Sequence, residues 1–86
     1  MNEILIYSSS FCPYCLMAKR LLDQKGMRYT EINVDSAPGL RQEMMDKTNR
    51  RTVPQIYIGD LHVGGFDELY ILDQTKKLNA LLGLNA

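Results

Sequence analysis

Charge of one sign is the first thing this sequence lacks. Ten Lys and Arg balance ten Asp and Glu, so the formal net charge is zero. No global field draws the chain to nucleic acid or an anionic membrane. Long apolar runs are missing too, and nothing approaches the roughly 18 residues of a spanning helix. The opening MNEILIYSSS carries no cationic segment and only a four-residue apolar run, so it does not read as a signal peptide. Internal repeats, low-complexity tracts and linkers are absent as well. With 86 residues, 45% of them apolar and 23% charged, the chain reads as a single domain spanning 1–86. One small neutral domain is most simply a monomer, and the expected compartment is the cytosol.

Cysteine is scarce, with two in all, yet Cys12 and Cys15 stand three positions apart in Phe-Cys-Pro-Tyr-Cys. In the cytosol such a pair is more often catalytic or metal-binding than a structural staple. A bridge across four residues closes so small a loop that it gains little from chain entropy. A closed tetrahedral metal site needs two further ligands, and the sole histidine is His62. A redox-active dithiol is therefore favoured, and no metal is expected. A cluster shared between subunits and an inert pair stay open at this point.

Patterning sets the surroundings of the pair. Ile4 to Tyr7 reads as a buried strand bounded by serines. Pro13 suits the first turn of a helix, Ala18, Leu21 and Leu22 form its apolar stripe, and Gly26 ends it. Tyr29 to Val34 alternates as a half-exposed strand, and Leu40, Met44 and Met45 line a second helix. Gln55 to Ile58 and Leu61 to Val63 form a hairpin about Gly59-Asp60. A third helix is expected over Phe66 to Asp73, and a short last one about Leu78, Leu81 and Leu82. The order β-α-β-α-β-β-α implies an α/β fold with a mixed four-stranded sheet and helices on both faces. The first two strands should be parallel, joined by a right-handed crossover.

At the mouth of the first helix, Cys12 meets unpaired backbone N–H groups and the positive end of the helix dipole. These favour its thiolate. Cys15 lies a turn further in and should stay protonated longer. Cys12 is thus the expected attacking sulfur and Cys15 the resolving one. Phe11 is expected to pack beside this loop. Met17, Met44 and Met45 are expected as core or near-core fillers, and His62 as an exposed strand residue.

Cys-Pro-Tyr-Cys at 12–15, Thr-Val-Pro at 52–54 and Gly-Gly-Phe-Asp at 64–67 follow one another as in the glutaredoxins, and the chain resembles a small bacterial-type dithiol glutaredoxin from end to end. The resemblance implies a thioredoxin-like fold. It also implies a glutathione-dependent reductase of protein disulfides and glutathione mixed disulfides. By the same resemblance, Tyr14 borders the tripeptide and Thr52-Val53-Pro54, with Pro54 in a cis bond, offers backbone groups to it. Gly65, Phe66 and Asp67 hold its γ-glutamyl end, and Asp67 would also suit an N-cap. Arg41 matches a position that meets the glycyl carboxylate, whereas Arg50 and Arg51 read more simply as a solvated pair. Many glutaredoxins have a lysine two residues beyond the tyrosine that ends the first strand. Ser9 stands there, which shifts the expected carboxylate contact onto Arg41. Two other uses of the fold compete: a dithiol reductase served by a flavoprotein, and an iron–sulfur cluster carrier. The Gly-Gly-Phe-Asp corner argues against the first, and Pro13 against the second.

Overall fold

The computed structural model describes residues 3–83; residues 1–2 and 84–86 of the expected domain lie outside the described residues. In chain order the elements are β1 (Ile4–Ser8), α1 (Pro13–Gln24), β2 (Thr30–Asn33), α2 (Leu40–Thr48), β3 (Gln55–Ile58), β4 (Leu61–Gly64), α3 (Phe66–Gln74) and α4 (Lys77–Leu81). The sheet runs β2-β1-β3-β4. β1 and β2 are parallel, with Tyr7 opposite Ile32. β1 and β3 are antiparallel, with Ile6 opposite Ile56. β3 and β4 are antiparallel and carry an irregularity: Ile56 pairs with Gly64 but Tyr57 with His62, which leaves Val63 as the extra residue of a bulge.

Strand periodicity divides the core into two layers. Ile4, Ile6, Ile56 and Ile58 face Ala18 and Leu22 of α1, Leu69 of α3 and Leu78 of α4. Tyr7 and Tyr57 face Met44 of α2 together with Val34. Helices thus cover both faces, as expected. β2 is shorter than the alternation suggested and does not alternate. Thr30 and Glu31 are exposed while Ile32 and Asn33 are half-buried, because β2 is an edge strand paired only with β1.

Helix α1 ends in a Schellman motif. The Gly26 N–H donates to Asp23 O and the Met27 N–H to Leu22 O. Gly26 takes φ +70°, the left-handed conformation that lets the chain turn back toward β2. Two expectations about packing fail. Met17 is 43% exposed, and Phe11 is 99% exposed. Met17 lies outside the Ala18/Leu22 stripe of α1, and Phe11 stands on a turn with no element above it.

Candidate active site

Chain direction brings the C-terminal end of β1 and the N-terminal end of α1 to one end of the sheet. Cys12 is the N-cap residue of α1, in extended backbone, and Pro13 occupies the first turn. The Cys15 N–H donates to Cys12 Sγ at 3.0 Å, so an orphan donor of the helix end points at that sulfur. Cys12 and Cys15 are joined as a disulfide with Cα atoms 5.2 Å apart. Cys12 is partly exposed, while Cys15 is buried at 1% exposure. The asymmetry expected from their places on the helix is therefore present in their accessibility.

A loop distant in sequence completes this end. The Val53–Pro54 peptide bond is cis, and the Val53 carbonyl oxygen lies 3.7 Å from Cys12 Sγ. Behind the loop, the fully buried Gln55 side chain donates from Nε2 to Thr52 O at 2.9 Å and to Thr52 Oγ1 at 3.3 Å. Gly65 passes so close to the loop that a Cβ there would stand 3.3 Å from the Pro54 carbonyl oxygen. A larger residue would push on backbone rather than on a movable side chain.

Helix α3 starts at this corner. Its N-cap is Gly65, with no side-chain cap, and Asp67 and Glu68 lie in its first turn. This corrects the N-cap expected at Asp67: the residue lies two positions past the cap, inside the first turn, and stands exposed. Negative charge here still complements the helix dipole. The Phe66 ring sits 6.3 Å from that of Tyr14 and 5.8 Å from that of Tyr70.

Between these parts runs a groove of about 430 Å³. Tyr14 walls it from α1, Thr52, Val53 and Pro54 from the loop, and Gly65, Phe66 and Asp67 from the α3 corner. Arg50, read from the sequence more simply as half of a solvated pair, and Glu68, not singled out there, also line it and form an ion pair. The Arg50 guanidinium holds the Glu68 carboxyl below the usual carboxylate range. Arg41 is not among the lining residues. Its guanidinium donates to Arg51 O at 3.3 Å and contacts Asp35 at 3.4 Å. Ser9 is partly exposed, next to Ser8, whose hydroxyl donates to Glu31. His62 departs from the exposed strand residue expected. It is partly buried, stacked on Tyr57 with ring centroids 4.9 Å apart.

Comparison with known proteins decides the family. The glutaredoxin family model matches residues 4–63. The chain belongs to the glutaredoxin family. A glutaredoxin of Pseudomonas aeruginosa is 49% identical over 82 residues, covering 95% of this chain and 98% of that protein. Glutaredoxin 3 of Escherichia coli is 44% identical over 82 residues, covering 95% and 99%. Among solved structures, the glutaredoxin of Brucella melitensis matches with a TM-score of 0.85 at 48% identity, covering 95% of this chain and 89% of that one. A buckwheat glutaredoxin–glutathione complex matches with a TM-score of 0.88 at 33% identity, covering 95% and 77%. The sheet and its flanking helices are thus the thioredoxin-like fold of the glutaredoxins. Glutaredoxins are glutathione-dependent thiol–disulfide oxidoreductases, and that is the activity of this chain.

Proposed function

We propose that Cys12 is the attacking thiolate, that Cys15 resolves, and that reduced glutathione lies in the groove between Tyr14, the Thr52-Val53-Pro54 loop and the Gly65-Phe66-Asp67 corner. The observation that carries this reading is the 3.7 Å approach of the Val53 carbonyl oxygen to Cys12 Sγ. It sets the backbone of Val53 beside the reactive sulfur, where a cysteinyl residue can pair with it as an added strand. The fold match to the buckwheat glutaredoxin–glutathione complex supports the same placement. Glutathione is anionic, and Arg50 is the cation that lines the groove. On this proposal Arg50 makes the carboxylate contact that the resemblance implied for Arg41.

With a glutathionylated substrate, the Cys12 thiolate attacks the glutathione sulfur. The old disulfide breaks, and the substrate thiolate leaves and takes a proton. A second glutathione thiolate then attacks the Cys12 adduct, giving glutathione disulfide and free Cys12. With a protein disulfide, Cys12 forms a mixed disulfide and Cys15 attacks it. The protein leaves as a dithiol, and the Cys12–Cys15 bond remains, as in the structure. Two glutathiones then restore the dithiol, one through a Cys12 adduct and one by taking that adduct as glutathione disulfide. Partial exposure of Cys12 and burial of Cys15 suit these two parts. On this reading the protein works as a single-domain monomer in the cytosol, on disulfide-containing or glutathionylated proteins, without nucleic-acid or membrane partners. No described helix is long and apolar enough to cross a membrane.

A coupled assay on a small glutathione mixed disulfide tests the assignment. Cys15→Ser should retain turnover and Cys12→Ser should abolish it. Loss in both would replace the glutathione adduct by a pure dithiol route.

A further inference from the structure

His62 lies outside the groove, yet one chain of hydrogen bonds ties it to the groove wall. Its Nε2 is 2.8 Å from Gln55 Oε1. Gln55 Nε2 in turn donates to the carbonyl and hydroxyl oxygens of Thr52. We propose that His62 is a positioning residue for the Thr52-Val53-Pro54 loop, acting through the buried amide of Gln55. This rests on the assignment of that loop to glutathione.

The direction of each bond follows from chemistry. The Thr52 carbonyl only accepts, so the Gln55 NH₂ must face it and Oε1 must face the histidine. Oε1 also only accepts, so His62 Nε2 carries a proton and donates. Gln55 is wholly buried, and an unmet carbonyl oxygen there is costly. Without a donor at position 62, the amide has reason to rotate. Rotation would turn its oxygen onto the Thr52 carbonyl oxygen, and the two acceptors repel. The loop that carries Val53 would then give way. Two features fix the His62 ring in its place. It stacks on Tyr57 with an interplanar angle of 26°. The Gly59-Asp60 turn also pairs Ile58 with Leu61, and that register puts His62 opposite Tyr57.

Two substitutions separate donation from packing. His62→Phe keeps a flat ring on Tyr57 but cannot donate. It should raise KM for glutathione about three- to tenfold, the range expected for one lost hydrogen bond, with kcat little changed. His62→Gln loses the stacking but retains an N–H donor, and should restore KM toward the native value even where Tm falls. Native KM in His62→Phe, or equal KM defects in both variants, would overturn the proposal. The native protein gives a variant-free check: ring ¹⁵N shifts should show the proton on Nε2, and a proton on Nδ1 with Nε2 bare would overturn it. Asp67→Ala is the control for the groove itself. Raised KM there with native KM in His62→Phe removes only the positioning role. Native KM in both removes the groove assignment too.

Discussion

Arg50 and Glu68, eighteen positions apart, form an ion pair that ties the segment before Thr52 to the first turn of α3. Both side chains line the groove. If the groove takes glutathione as proposed, the anionic tripeptide meets a cation already paired with a neighbour, so each partner sets how much positive charge the other leaves for the ligand.

Arg50→Ala leaves the Glu68 carboxylate unpaired beside an anionic ligand. KM for glutathione should rise about two- to fivefold, in keeping with a partly exposed pair. Steady-state kinetics at low and high salt check this. The defect should shrink at high ionic strength, where screening weakens the unpaired charge.

Arg41→Ala should move the same KM less than Arg50→Ala. Its guanidinium is engaged by Asp35 and the Arg51 carbonyl, and it does not line the groove. An Arg41→Ala defect as large as that of Arg50→Ala would return the carboxylate contact to α2.

Gly64→Ala should destabilise the protein by about 1–3 kcal/mol, measured by denaturant unfolding. Gly64 has φ +116°, and a Cβ there would stand 2.5 Å from Glu68 Oε1. Adding Glu68→Ala should recover only part of the loss, because the backbone conformation is still wrong for an L side chain.

Acid should weaken the fold in two steps. His62 titrates below its ordinary 6.5, through burial first and then the Arg50 charge, with Glu68 opposing. The unfolded chain therefore binds the proton more readily, and stability falls as the pH drops through about 6.5. Glu31 is held below its ordinary 4.5 by its hydrogen bonds to Ser8 and Lys19, and Glu68 by Arg50. Their contribution is present above 4.5 and is lost below it. Unfolding curves from pH 8 to pH 3 should show both falls, and His62→Gln should remove the upper one.

Much of the fold was legible because its causes are local. The Ala18/Leu22 stripe, the Gly26 terminus and the Gly59-Asp60 hairpin each follow from residues a few positions apart, and all recur in the structure. The cysteine pair was legible for the same reason, since a helix N-terminus and the residue that caps it are neighbours in sequence. Phe11 and Met17 were misjudged because apolar character states what a side chain favours, not whether another element arrives to cover it.

By itself, then, the sequence determined the two thiols, their helix, the order of strands and helices, and through three short motifs the glutaredoxin family. Tertiary structure alone decided which distant groups assemble around the thiols and the groove. Val53 reaches Cys12 across 41 positions, Arg50 rather than Arg41 lines the groove, and His62 holds Gln55 from the neighbouring strand. Such contacts depend on strand order and register. A shift of one residue in that register turns each side chain to the opposite face, and no local pattern of residues records it.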